Sequence, residues 1–288
     1  MKISNQNKIL NLTSPQVMGI LNVTPDSFSD GGRFNHIDAA LEQARAMIRD
    51  GATIIDIGGE STRPGAAHVS EEQEIARVIP IIEAIRRESD VWISIDTSKP
   101  KVMKQAVAAG ADLINDVRAL TVDGALEVAA QAKVPVCIMH MQGQPQDMQD
   151  NPQYRDVIDE VADFLNERIT QCIKAGIKRE NIVLDPGFGF GKTMAHNFRL
   201  INQFNRFLDF QLPVLAGLSR KSMFDHLLSL KVDERLASSL TGALLCAQQG
   251  AHILRVHDVK ETVDMLKIMN TVFSATNEEK DKENDVTT

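Results

Sequence analysis

Short apolar runs rich in β-branched residues recur along the chain, at 17–22, 53–58, 91–96, 113–117, 135–140, 182–185, 213–219 and 252–257. Each ends in or beside Gly or a polar residue and leads into polar sequence or a helical pattern. The clearest helical patterns cover 37–49, 71–87, 101–109, 154–175, 235–248 and 259–270. In the second of these, Ile75, Ile79, Ile82 and Ile85 form one stripe, as on the buried face of an amphipathic helix. Gly51, Gly110, Gly176 and Gly250 stand where four of the helices should close on a left-handed residue.

Eight strand–helix units in alternation predict a parallel sheet with helices outside it. Near-continuous apolar strands such as 54–57 suit burial on both faces. Eight parallel strands can close on themselves, and 288 residues fit a single-domain (β/α)8 TIM barrel. An open doubly wound sheet is the competitor. Its dinucleotide fingerprint would follow the first strand, where Asn22-Val23-Thr24-Pro25-Asp26 contains no G-x-G-x-x-G. The barrel is therefore placed at 17–274, with a short N-terminal cap segment, 1–16, over its floor. From 275 to 288 the chain is polar and charged and reads as a disordered acidic tail.

Composition narrows the class. With 43% hydrophobic residues the chain can bury a core without disulfide or metal staples. Its three cysteines, Cys137, Cys172 and Cys246, form no C-x-x-C pair, which fits a reducing, cytoplasmic setting. A net charge of −8 and only 5% aromatics argue against nucleic acid as a partner. No run approaches the ~18 apolar residues of a membrane span.

Catalytic groups of such barrels gather at the carboxyl ends of the strands. Those positions carry Asn22, Gly58 to Arg63, Asp96, Asn115 and Asp116, His140, Asp185, Ser219 to Lys221, and Arg255 with His257. One such residue alone could simply satisfy loose backbone groups. Eight on one rim argue for a shared site. Asp96, Asn115 and Asp185 offer donors and acceptors suited to the edge of a planar heterocycle. Arg255 and His257 alternate on one strand and, with Arg63, could bind an anion such as a diphosphate. A strand end paired with Asp258 is the open alternative.

The stretch 185–193, DPGFGFGKT, fails the phosphate-loop template because Pro186 stands where the first Gly is required. It reads instead as a tight turn presenting Asp185 and the faces of Phe188 or Phe190. Met139 is expected to line the pocket and His140 to pack in the core or rim. Lys221 reads either as a binder of carbonyl or phosphate, or as a Schiff-base lysine with its pKa depressed by Arg220.

Together these segments resemble the dihydropteroate synthase family of the bacterial folate pathway. The resemblance rests on MGILNVTPDSFSDGG at 18–32 and DIGGESTRPG at 56–65. SIDT at 94–97, IND at 114–116, LDPGFGFGK at 184–192, SRKS at 219–222 and RVHDV at 255–259 add to it. It implies a transferase that joins 4-aminobenzoate to (7,8-dihydropterin-6-yl)methyl diphosphate, giving 7,8-dihydropteroate and diphosphate. It assigns the pterin site to Asp96, Asn115, Asp185 and Lys221, with Met139 and Gly217 as packing surface. Diphosphate falls to Asn22, Thr62, Arg255 and His257, with Mg2+ near Asn22. The 4-aminobenzoate pocket falls to Phe28, Thr62, Arg63, Pro64, Phe190, Ser219 and Lys221, where sulfonamides would compete. Catalysis is expected to be electrostatic, through Arg63, Lys221, Arg255 and His257. A homodimer is implied as well. A pterin-dependent methyltransferase on the same barrel is the alternative, and a Schiff-base aldolase acting through Lys221 a more distant one.

Overall fold

The structure, a computed structural model, describes residues 1–5, 7–24, 33–61, 69–144 and 147–285. Two short strands, β1 (Lys2–Ser4) and β2 (Ile9–Asn11), pair antiparallel as a hairpin. Eight parallel strands follow: β3 (Gln16–Asn22), β4 (Ile54–Gly58), β5 (Trp92–Asp96), β6 (Leu113–Asp116), β7 (Val136–Met139), β8 (Ile182–Asp185), β9 (Leu215–Ala216) and β10 (Ile253–Val256). Their order is β8-β7-β6-β5-β4-β3-β10-β9. The ring closes where Leu184 bridges Val214 and its N–H donates to the Pro213 carbonyl at 2.8 Å.

Helices cover the outside: α1 (Arg33–Arg49), α2 (Glu71–Glu88), α3 (Pro100–Ala109), α4 (Ala125–Ala132), α5 (Val157–Lys174), α6 (Met194–Asn202), α7 (Ser222–Leu228), α8 (Leu236–Gln248) and α9 (Val259–Asp285). Their starts follow local chemistry. Ser70 and Gln73 form a reciprocal capping box on α2, and the Asp156 carboxylate accepts from two N–H groups of α5. Gly51, Gly110, Gly176 and Gly250 all have positive φ, as their places at helix ends required. Outward residues of the strands, such as Leu21, Ile57 and Ile95, pack with the helices in one large core.

Four expectations shift. On α2 the buried face is Glu74, Val78, Ile81, Ile82, Ala84 and Ile85, so Ile75 and Ile79 flank the stripe rather than lead it. The cause is a buried carboxylate that apolar periodicity cannot register: Lys99 Nζ meets Glu74 at 2.5 Å and Glu60 at 2.6 Å. Strand β9 is two residues long instead of seven, because the chain turns after Gly217 and Arg220 adopts positive φ. Helices α4, α6 and α7, short or weakly patterned, add to those the sequence pattern picked out. Finally, α9 runs on to Asp285, past the point at 275 where the tail was expected to lose order. Closely spaced Glu and Lys residues suit helix, and their polarity alone does not exclude it.

Candidate active site at the carboxyl end of the barrel

Side chains alternate inward and outward along each strand. The first inward residues, Met18, Ile54, Trp92, Leu113, Cys137, Val183, Leu215 and Ile253, are all apolar. They share one buried cluster with Ile3, Leu10 and Leu12 from the hairpin region. The hairpin is pinned there by paired bonds between Ser4 and Asn181 at 3.0 and 2.7 Å. Two residues further along, the inward series changes character. It becomes Ile20, Asp56, Ser94, Asn115, Met139, Asp185, Gly217 and Arg255, and then, two residues on, includes Asn22, Gly58, Asp96, Ser219 and His257. Chemistry begins one step above an oily floor.

Arg255 is the hub of this polar level. Its Nε donates to Asp56 Oδ2 at 2.6 Å and a terminal nitrogen donates to Asp96 Oδ2, also at 2.6 Å. Asn115 Nδ2 donates to the same Asp56 oxygen at 3.2 Å. Burial works against the Arg255 charge, but Asp56 and Asp96 more than offset it and its pKa is raised. Asp96 is pushed up to about 7, first by burial and then by the neighbouring carboxylates of Asp56, Glu74 and Asp116, against the pull of Arg255. Asp56 is 0% exposed, and its other oxygen has no hydrogen-bond partner among the described residues; nor does the buried Ser94 hydroxyl. Unpaired polar atoms in a barrel interior are costly, and a polar ligand edge or ordered water would satisfy them.

Around the hub, Asp185 accepts the Gly187 N–H at 2.7 Å and has its pKa raised by burial. Gly217 leaves the space between Asp185 and Arg255 open: a Cβ built there would lie 4.0 Å from both the Asp185 Oδ2 and the Arg255 Cβ. Asn22 faces Asp96 across Gly58 in the same way, with Asn22 Oδ1 3.7 Å and Asp96 Cβ 3.6 Å from a Cβ built on that glycine. On the last two strands, Ser219 Oγ meets His257 Nδ1 at 3.0 Å and accepts the His257 N–H at 3.1 Å. Lys221 Nζ sits 4.2 Å from the centre of the Phe190 ring, within cation–π range. Phe190 and Met139 share a buried cluster with Val117 and Met148.

The strand ends thus bring together Asn22, Asp96, Asn115, Met139, Asp185, Phe190, Gly217, Ser219, Lys221, Arg255 and His257. Phe28, Thr62, Arg63 and Pro64 lie outside the described residues. Three rim residues belong elsewhere. Asp116 has outward parity and accepts from Ser98, Arg118 and Leu120. His140, also outward, packs edge-on against Phe164 at 5.0 Å, as core packing required. Arg220 pairs with Asp258, at 2.5 Å, which removes the neighbour proposed to activate Lys221 as a Schiff-base nucleophile. It is thus Arg220, not Arg255, that pairs with Asp258.

Two residues escaped sequence reasoning. Asp56 was absorbed into an apolar run, although its parity with Ile54 places it inside the barrel and an isolated carboxylate there needs a cation. Lys192 ends the glycine-rich turn and is 3% exposed. Its ammonium meets His140 Nδ1 at 2.9 Å, the Gly187 carbonyl at 2.9 Å and the Phe190 carbonyl at 3.0 Å. Burial lowers its pKa to about 7, and burial together with this ammonium lowers that of His140 to about 2.

A closed α/β barrel with an apolar floor, and carboxylates, an amide and a guanidinium above it, has the build of the barrel enzymes whose sites lie at the carboxyl ends of the strands. Residues 18–257 match the family described as pterin binding enzyme. Dihydropteroate synthase of Haemophilus influenzae is 54% identical over 96% of this chain and 100% of its own length. A Yersinia pestis dihydropteroate synthase crystallised with a sulfonamide drug superposes with a TM-score of 0.91 at 51% identity, covering 95% of this chain and 100% of that one. A Xanthomonas albilineans dihydropteroate synthase with 4-aminobenzoic acid gives 0.89 at 48% identity, covering 94% and 97%. The chain belongs to the pterin-binding enzyme family and, within it, to the dihydropteroate synthases.

Proposed function

We propose that this chain transfers the (7,8-dihydropterin-6-yl)methyl group from its diphosphate to the amine of 4-aminobenzoate, forming 7,8-dihydropteroate and diphosphate in the cytoplasm. The observation that carries the reading is the inward series itself, which changes from apolar to Asp56, Asn115, Asp185 and Arg255 at one level. Asp96, Asn115 and Asp185, with Lys221, supply donors and acceptors for the ring edge, and Met139 with Gly217 leaves a flat, open surface for its face. Asn22, Thr62, Arg255 and His257 are assigned to the diphosphate. Two N–H groups of Arg255 are held by carboxylates, leaving others for an anion. Phe28, Thr62, Arg63, Pro64, Phe190, Ser219 and Lys221 are assigned to 4-aminobenzoate, for which sulfonamides would compete.

In the reaction, the methylene C–O bond breaks with its electron pair leaving on diphosphate. The arylamine nitrogen then forms the new bond to carbon and loses a proton. We assign bond breaking first, because the described rim offers cations and dipoles for departing charge. A large isotope effect at the attacking nitrogen during C–O cleavage would overturn that order. Mg2+ suits this scheme: it favours one or two protein oxygens with phosphate oxygens and waters completing its shell. Asn22, at the end of β3 and facing Asp96 across Gly58, would hold it through its amide oxygen. When bound, it would neutralise diphosphate charge.

The expected homodimer has a candidate surface. Leu244 and Gln248 of α8 and Met265, Ile268 and Met269 of α9 line an apolar groove, with Ile268 67% exposed. Ile268→Glu should shift sedimentation from dimer to monomer. No helix among the described residues is long and apolar enough to cross a membrane. The decisive assay for the function is diphosphate release that depends on added 4-aminobenzoate; release at the same rate without it would overturn the assignment.

A further inference from the structure

The turn between β8 and α6 is built almost without freedom of choice. Gly187, Gly189 and Gly191 all have positive φ. A Cβ on Gly187 would fall 1.9 Å from the His140 carbonyl oxygen, one on Gly191 2.3 Å from the Gln142 carbonyl oxygen, and one on Gly189 3.1 Å from Lys221 Cδ. Left-handed glycines permit this path but do not enforce it, because glycine has more alternatives than any other residue. Something else must hold the turn.

The buried ammonium of Lys192 does. It bonds to the carbonyls of Gly187 and Phe190, to His140 Nδ1 and, at 3.4 Å, to the His140 carbonyl, tying both ends of the turn to the end of β7. Asn197 reinforces it from α6, accepting the Gly189 N–H at 2.7 Å and donating to the Lys192 carbonyl at 3.2 Å. On its other side the turn forms pocket wall: Asp185 precedes it, and Phe190 lies under the Lys221 ammonium. We propose that Lys192 is a positioning residue of the transfer reaction, its buried ammonium fixing the 186–191 turn so that Phe190 and Lys221 form the 4-aminobenzoate side of the site. The inference rests on the function proposed above.

The charged form matters, because a neutral amine has one N–H fewer for the same acceptors. The ionisable groups that bear on Lys192 are His140 at the end of β7, Asp185 of β8, Lys221 before α7 and His196 of α6, with Tyr154 bonded to the Gly191 carbonyl beside it. Of these, Asp185 favours the ammonium and Lys221 opposes it. Loss of its proton as pH rises should loosen the turn and raise KM for 4-aminobenzoate.

The test uses the full-length chain with both substrates, measuring diphosphate release, together with hydrogen exchange at the amides of Gly187, Gly189 and Phe190. Lys192→Met, close in length but uncharged, should raise KM for 4-aminobenzoate about tenfold or more. Its KM for the pterin diphosphate should change much less, those amides should exchange faster, and the basic-side rise in KM seen in the parent should vanish. Unchanged KM with unchanged exchange, or a basic limb that survives the substitution, overturns the proposal. If Lys192→Met does not fold, His140→Leu serves. Removing an acceptor of the ammonium disfavours its charged form, so the limb should move to lower pH, and a limb that stays in place overturns the proposal. Absence of any 4-aminobenzoate-dependent release from the parent chain would instead remove the functional reading, while the exchange measurement would still judge the role of Lys192 in the turn.

Discussion

Arg255 and Asp56 stand 199 residues apart in the chain and meet at 2.6 Å inside the barrel. The contact joins the last strand to the second of the eight, and Asp96 on the third adds the other end of the clamp. One cation therefore holds two carboxylates from neighbouring strands at the level where the interior turns polar.

Removing that cation should be costly. Arg255→Met leaves both carboxylates without their partner and is expected to lose about 3–5 kcal/mol of stability in urea unfolding. Adding Asp56→Leu should recover part of this loss, because the double variant removes one of the stranded charges. A double variant whose loss equals the sum of the two singles would show that the residues do not act as a pair.

Asp185→Asn keeps the shape of the side chain and removes its charge. Calorimetry of pterin diphosphate binding should show a loss of about 2–4 kcal/mol, the range for a buried charge-assisted bond. Near-normal affinity would count against Asp185 as a ring-binding residue.

Two glycines separate steric from conformational cost. Gly176 has a φ of +98 with nothing within 4 Å of an added Cβ, so Gly176→Ala should cost only about 1–2 kcal/mol for the left-handed backbone. Gly187→Ala adds a clash with the His140 carbonyl to a similar φ, and should cost about 3 kcal/mol or more. Equal melting temperatures for the two variants would contradict the close approach of the turn to β7.

The pH dependence of stability has a definite sign at His140. Folded, its ring stays neutral down to about 2, first because of burial and then because of Lys192; unfolded, it titrates near the ordinary imidazole value. Unfolding below about pH 6.5 therefore takes up a proton, and this share of the stability falls as pH falls toward 2. His140→Leu lacks that share. Calorimetric scans should show the melting temperatures of parent and variant drawing together from pH 7 to pH 4; a gap that stays constant would mean that His140 already carries a proton in the fold.

The alternation of apolar runs with helical segments made the barrel readable, because each β/α unit carries its own period. Rim residues on the inward parity, such as Asn115, Asp185 and Arg255, could be found from strand position alone. Asp116 and His140 sit at the same strand ends but one residue out of phase, and a one-residue step changes the face. Asp56 was hidden because its reason for being buried lies at Arg255, 199 residues further along the chain. Lys192 was hidden because the stretch, having failed the phosphate-loop template, reads as a turn presenting Asp185 and the phenylalanines, and nothing local shows that the ammonium binds the turn's own carbonyls. Segment length was the weakest inference: β9 is cut short by its turn, and α9 extends where charge density suggested disorder.

Among the described residues, the greasy plug beneath the polar level closes the barrel from below, so the way in lies at the strand ends. For the reaction proposed above, everything that arrives and everything that departs shares that passage. A ring seated against Asp56, Asn115 and Asp185 would lie at the bottom of that passage, with the oily floor at its back.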